Sequence, residues 1–241
     1  MRTELLKRLL GTPTYTGQEL LVTNLLVDHA AEHGYTCTVD ATGNVFMTKG
    51  TVAPGEFYPL VCAHTDSVHT RQDMAIIQDS DQCLPVLKAV FFWGEEQYCK
   101  GSHAAGPEFF SDVGYCIEFD SPQSDIVSYS CDGTQLFEEH GEFAKIAVPI
   151  MDEHGMTKWQ RHPYTDVAVL KRRYPFTCVN LPAGYYRMHT RHEYGSIPAV
   201  ENAVVAGRKI ITELGTKNYP FRPTLGRIME TDRKTTYLEL D

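Results

Sequence analysis

The 241-residue chain reads as an α/β protein in which helices cover both faces of a sheet. Two observations predict this. Short apolar runs with strand character alternate along the chain with amphipathic helical patterns. One run, residues 86–93, is apolar except for Lys88 and too continuous for a sheet with a wet face. A chain of this length can bury a sizeable core, and a single domain is expected.

The elements follow in order. Residues 2–10 predict a short helix, broken by Gly11-Thr12-Pro13. Thr16-Gly17-Gln18-Glu19 has the spacing of a capping box, and Leu20, Leu21, Leu25 and Leu26 continue at helical spacing until Gly34. Residues 35–39 and 45–48 alternate as strands around the turn 40–44 and predict a hairpin. Residues 58–63 form an apolar strand that runs into His64-Thr65-Asp66, and 74–77 predict another short strand. The central strand 86–93 ends in Gly94-Glu95-Glu96. Next come a helical piece within 102–110 and a strand 115–119 that closes on Asp120. Helical apolar spacing covers 136–151 despite Pro149, and 165–173 predict one or two further turns. A strand 177–181 precedes a glycine turn at Gly184, and 199–214 form an amphipathic helix stopped by Gly215.

Composition removes several function classes. A net charge of -9 without a Lys/Arg-rich stripe argues against a nucleic-acid partner. No apolar run approaches the roughly 18–20 residues of a membrane span, and the N-terminus has no long apolar signal core. No membrane association and a cytoplasmic protein are therefore expected. Seven cysteines stand singly, without a C-x-x-C pair, which disfavours a zinc–cysteine site or a disulfide framework. The sequence leaves the oligomeric state open, a homo-oligomer included.

In open α/β sheets, ligands bind beyond the carboxyl ends of strands. Three predicted strands here end in metal-competent groups: His64-Thr65-Asp66, Glu95-Glu96 and Asp120. A fourth group, His189-Thr190-Arg191-His192-Glu193, follows the strand 177–181. Residues i and i+2 of a strand project to one face, so Asp66 can reach the second nitrogen of His64 and hold the ring ready for a metal. Adjacent glutamates point apart: Glu96 is assigned to a metal and Glu95 to proton transfer. Asp120 is read as a ligand, with an Asx turn before Pro122 as the alternative. His189 is preferred to His192 because it lies nearer the turn 181–186. His69, His103, His140, His154 and His162 have no such context.

Taken together, His64-Thr65-Asp66, Gly94-Glu95-Glu96 with Gly101-Ser102, Asp120, Thr165-Asp166, and Gly184-Tyr185-Tyr186 followed by His189 and Glu193 resemble the zinc-dependent exopeptidases with two co-catalytic metals, which include aminopeptidases, tripeptidases and related deacylases. The segments Thr12-Pro13-Thr14 to Glu19 and Asp40 to Asn44 are similar to that family as well. The resemblance implies a three-layer α/β/α sandwich with a mixed, largely parallel central sheet and no lid domain. It implies up to two Zn2+ ions, with Co2+ or Mn2+ as alternatives. His64 and Asp120 would hold one ion and Glu96 and His189 the other, with Asp66 orienting His64 and Glu95 acting as general base or acid.

One departure stands out. The family carries a metal-bridging aspartate in a Gly-Ala-Asp-Asp-like turn that opens a helix between the His-x-Asp and Glu-Glu motifs. Here Asp79-Ser80-Asp81-Gln82-Cys83-Leu84 runs straight into Pro85-Val86-Leu87, so the turn and its helix are expected to be missing. The gap between the predicted strand 74–77 and Val86 is too short for a parallel crossover. Without a bridge each ion keeps two protein ligands, fewer than the three usual for catalytic zinc, unless Asp79 or Asp81 substitutes. The leading expectation is a metal-dependent exopeptidase acting on short peptides or amino-acid derivatives. The alternatives are a catalytically impaired peptide- or metal-binding homologue and an N-acyl amino acid deacylase.

Overall fold

The computed structural model describes residues 8–9, 11–67 and 86–223. The expected strand 74–77, the candidate bridging residues Asp79 and Asp81, and the junction at Leu84-Pro85 lie outside them. Of the expected first helix, Arg8, Leu9 and Gly11 are described, and all three are helical.

Helix α1 (Leu20–Glu32) is followed by the antiparallel hairpin β1 (Thr36–Val39) and β2 (Val45–Lys49). Asp40 closes the turn between them, because its Oδ1 accepts the N–H groups of Thr42, Gly43 and Asn44. Strands β3 (Tyr58–His64) and β4 (Leu87–Phe92) are buried along their whole length and pair in parallel. Their connection therefore spans residues 65–86, longer than the dozen or so a crossover requires. The shortage inferred from a strand at 74–77 does not apply to this pairing.

After the short helix α2 (Lys100–Ala104) come β5 (Val113–Ser121), β6 (Ile126–Cys131) and β7 (Thr134–Gln135). Helix α3 (Glu142–Glu153), β8 (Lys158–His162), α4 (Asp166–Arg173), β9 (Thr177–Pro182), the small hairpin β10 (Tyr185–Tyr186) and β11 (Tyr194–Gly195), and α5 (Ile197–Leu214) complete the described fold. The sheet order is β1-β2-β4-β3-β5-β9-β6-β7, with β8 beside β6. Its centre, β4-β3-β5-β9, is parallel, and antiparallel pairs flank it.

The alternation of side chains along β5 shows the layers. Phe119 meets helix α5 where Gly207 leaves room for its ring, and the Tyr115 hydroxyl donates to the Gly215 carbonyl at the end of that helix. Glu118 points the other way, to the start of α4, and accepts the Val167 N–H at 3.3 Å. Helix α1 packs on the same face as α5, covering Val45, Met47, Ala63, Ala89 and Phe91 with Val22, Leu26 and Ala30. The molecule is thus a three-layer α/β sandwich with a mixed, mostly parallel sheet.

Three local expectations change. The capping box at Thr16 does not form: Glu19 occupies the N-cap of α1 without a side-chain cap, and the Thr16 hydroxyl donates to Asp66 at 2.8 Å. Residues 136–141 are not helical, since the Leu136 N–H donates to Tyr129 and its carbonyl accepts from Cys178, so α3 starts at Glu142. The strands β6, β7 and β8 have no counterpart in the sequence reading. All of β8 but Trp159 is polar, and β6 buries Ser128 and Ser130 among apolar neighbours, so neither shows a clean alternation. No described helix is long and apolar enough to cross a membrane.

Candidate metal centre and active site

The parallel strands β3, β4, β5 and β9 deliver their carboxyl ends to one edge of the sheet. His64 is the last residue of β3, Glu95 and Glu96 form the 3-10 turn after β4, and His189 lies in the loop between β10 and β11. Asp120 arrives by a different route. Opposite β9 the register slips between Phe119 and Ser121, so Asp120 sits in a β-bulge, and its N–H bonds the side chain of Asn180 at 3.0 Å instead of a ladder carbonyl. A bulge re-aims the side chain it carries, and here it turns a carboxylate into the cleft. No Asx turn forms.

Asp66 ties the pieces together. Its Oδ1 accepts the Glu95 N–H at 2.9 Å and lies 3.3 Å from His64 Nδ1, an ionic contact whose alignment falls short of a hydrogen bond. Its Oδ2 accepts from Thr16 at 2.8 Å and from the Glu96 N–H at 3.2 Å. Burial opposes the carboxylate, but His64, then Thr16 and the Glu95 N–H, hold Asp66 below the usual range. One buried side chain thus joins the β3 terminus to the Glu95–Glu96 turn.

The turn is braced from behind. Asn44, the residue before β2, donates to the Gly101 carbonyl at 3.0 Å and accepts the Trp93 N–H at 3.0 Å. Its amide also donates to Asp40. The predicted hairpin turn 40–44 therefore clamps both ends of the segment that carries the two glutamates.

Two His–carboxylate pairs face the cleft. His64 Nε2 lies 3.2 Å from Asp120 Oδ1, and His189 Nε2 lies 3.1 Å from Glu96 Oε1. His189 is held in a left-handed conformation (φ 59°), and its N–H donates to Glu193 at 2.6 Å. His192 stays exposed on the same loop. Burial opposes an imidazolium at His64, but the Asp120 bond and then Asp66 outweigh it and raise its pKa well above the ordinary value.

The cleft is strongly acidic underneath. Burial, then the Asp120 charge, pushes Glu95 up to about 9. Burial pushes Asp166 up to about 7, and neither of its carboxylate oxygens has a hydrogen-bond partner; the nearby Ser102 hydroxyl donates to Cys99. Glu118 is raised by burial and by Asp120, and Thr165 stands between Glu118 and Asp120 within hydrogen-bond reach of both.

A cleft of about 110 Å³ opens over these groups, lined by His64, Glu95, Glu96, Asp120 and His189 with Tyr164, Tyr185, Met188 and His162. His162, set aside in the sequence, is brought in by β8 and bonded through Nδ1 to Ser128 at 2.8 Å. Nothing local could have revealed it, because Ser128 is 34 residues away.

The donor set fits divalent ions in part. The contacts of 3.1–3.2 Å within each pair match the edge of a tetrahedron around zinc, roughly 3.3 Å for bonds near 2.0 Å. Among the described residues no third His, Cys, Asp or Glu closes either pair into a compact triad. Two carboxylates and two imidazoles above a buried acidic excess are a cation's environment.

Neither a protein-family model nor a curated protein sequence matches the chain, but solved structures do. Aminopeptidase PepT from Bacillus cereus superposes with a TM-score of 0.70 at 13% identity, over 88% of this chain and 97% of that one. A tripeptidase from Staphylococcus aureus gives 0.67 at 12% identity, over 86% and 97%. A Bacillus subtilis protein described as a dinuclear metal binding peptidase from the M20 family gives 0.63 at 9% identity, over 88% and 97%. At these identities the likeness is one of fold.

Proposed function

We propose that the chain is a metal-dependent exopeptidase that hydrolyses short peptides or removes N-terminal residues, built as one catalytic domain without a lid. The observation that carries this reading is the meeting of His64–Asp120, Glu96–His189 and the buried carboxyl of Glu95 in one cleft. His64 and Asp120 would hold one ion and Glu96 and His189 a second, Zn2+ first among the candidates. A divalent ion supplies Lewis acidity to a peptide carbonyl and eases the deprotonation of water. Asp66 holds the His64 ring and the Glu95–Glu96 turn in one frame. Glu95 takes the proton of the attacking water and hands it to the leaving amine, a role that needs its carboxyl ionised; the charge of bound ions would favour that form against the burial that raises its pKa. Free thiols at Cys37, Cys62, Cys99, Cys116, Cys131 and Cys178 suit the reducing interior of a cell, and we place the protein there. A homo-oligomer remains part of the proposal, checked by light scattering.

The test is hydrolysis of amino-acid nitroanilides by protein loaded with Zn2+, Co2+ or Mn2+. Glu95→Gln should lower turnover by roughly 10²- to 10⁴-fold, the usual worth of a general acid–base. Metal-loaded protein that turns over none of them and is indifferent to Glu95→Gln refutes the proposal. The two-ligand pairs favour a second reading, a homologue that binds peptide or metal without hydrolysis; it predicts ligand binding with no turnover. Cleavage of N-acyl amino acids in preference to nitroanilides would instead indicate a deacylase.

A further inference from the structure

Helix α1 carries another group of metal-competent side chains at its far end. Its N-terminal end adjoins the cleft, where Thr16 bonds Asp66. Its 13 residues, at 1.5 Å each, place the other end roughly 15–20 Å away. There His29, Glu32 and His33 stand at positions i, i+3 and i+4, neighbours on one helix face. One ligand atom from each lies within 4.8 Å of the other two, and no other His, Cys, Asp or Glu group among the described residues is so compact.

Two further observations prepare this group for a cation. The imidazole rings lie against each other, with centroids 4.0 Å apart and planes 33° from parallel, which keeps the two side chains together on one side of the helix. His33 Nδ1 is 2.9 Å from the His29 carbonyl. A carbonyl only accepts, so Nδ1 carries the proton in this bond, and Nε2 is the ring nitrogen that a metal would take. This outer hydrogen bond to a backbone carbonyl is the one that metal-binding histidines commonly make, because it sets the tautomer and the ring plane. His29 and His33 are half-buried and Glu32 is exposed, so little desolvation opposes an ion and water can complete its shell.

We propose that His29, Glu32 and His33 form a site for one divalent first-row transition ion, Zn2+ in the first instance, separate from the cleft. Two imidazoles and a carboxylate with an open position suit that ion in charge and softness. The ion joins the last turn of α1 to its C-cap residue His33. One consequence bears on the cleft: a zinc count on wild-type protein includes an ion unrelated to hydrolysis.

The experiment is a calorimetric Zn2+ titration of full-length protein carrying His64→Ala and His189→Ala, which removes both cleft histidines. One equivalent should still bind. Adding His29→Gln and His33→Gln should abolish it or weaken it at least tenfold, and Glu32→Gln alone, the milder change, should weaken it measurably. A cleft variant that binds no Zn2+, or a quadruple variant that binds it as before with an unchanged circular dichroism spectrum, overturns the proposal. No turnover is read, so failure of the peptidase reading and failure of this site give different results.

Discussion

Replacing Gly101 by alanine tests how the glutamate turn is held. A Cβ at position 101 would stand 2.2 Å from Asn44 Oδ1, 2.5 Å from the Trp93 carbonyl oxygen and 2.6 Å from the Trp93 nitrogen. Two of these atoms belong to the backbone, so no rotamer change relieves them. The third belongs to the amide that bonds Trp93 and Gly101. Overpacking of this kind costs about 1–3 kcal/mol, and losing the two Asn44 bonds adds about 1 kcal/mol each. The sum is about 3–5 kcal/mol. For a chain of this length about 2 °C accompanies each kcal/mol, so the melting temperature should fall by about 6–10 °C. Thermal unfolding followed by circular dichroism reads the change. Gly195→Ala, where nothing lies within 4 Å of the new methyl, is the control and should melt with the wild type. If Gly101→Ala also melts within about 2 °C of wild type, the turn is not clamped between Asn44 and Trp93, and the account of how Glu95 and Glu96 are placed fails.

Two other perturbations test separate parts of the structure. Asp66→Asn sets an amide NH2 against at least one of the donors Thr16, Glu95 N–H and Glu96 N–H; a loss of about 2–4 kcal/mol is expected, and an unchanged urea midpoint would count against Asp66 as the tie. Lys171 is buried, donating to the carbonyls of Phe176 at 2.8 Å and of Phe221, and burial lowers its pKa from 10.5 to about 8. Between those two values the unfolded chain holds the proton and the folded chain does not, so stability rises with pH across that window. The stability of wild type relative to Lys171→Met should therefore improve from pH 8 to pH 10.5. A flat difference in chemical denaturation would mean that the carbonyls offset the burial.

Much of the fold was legible because burial leaves a periodic trace. The run 86–93 announced a strand covered on both faces, and β4 is buried throughout. The amphipathic run before Gly215 matches α5. The same trace misled at 136–141, where Leu136 and Phe137 are buried at helical spacing but their segment bonds to strands. Apolar spacing reports which residues avoid water. It does not report which carbonyl each N–H will find.

The candidate site divides in the same way. Sequence alone put forward His64, Asp66, Glu95, Glu96, Asp120 and His189 as candidates, because motifs at strand ends are local and a parallel sheet brings its carboxyl ends to one edge. Only the tertiary structure decided how they pair, since each pairing spans a long separation and depends on register: the bulge that turns Asp120 toward His64, the loop that sets His189 beside Glu96, and the carboxylate of Asp66 spanning two strand ends. It also decided what the motifs omit. His162 enters the cleft through a strand with no sequence signature, and Glu118 and Asp166 become a buried acidic floor because folding places four carboxyls in one small volume away from water. Residue type sets what a side chain can do chemically, and the three-dimensional surroundings set its charge and its partner.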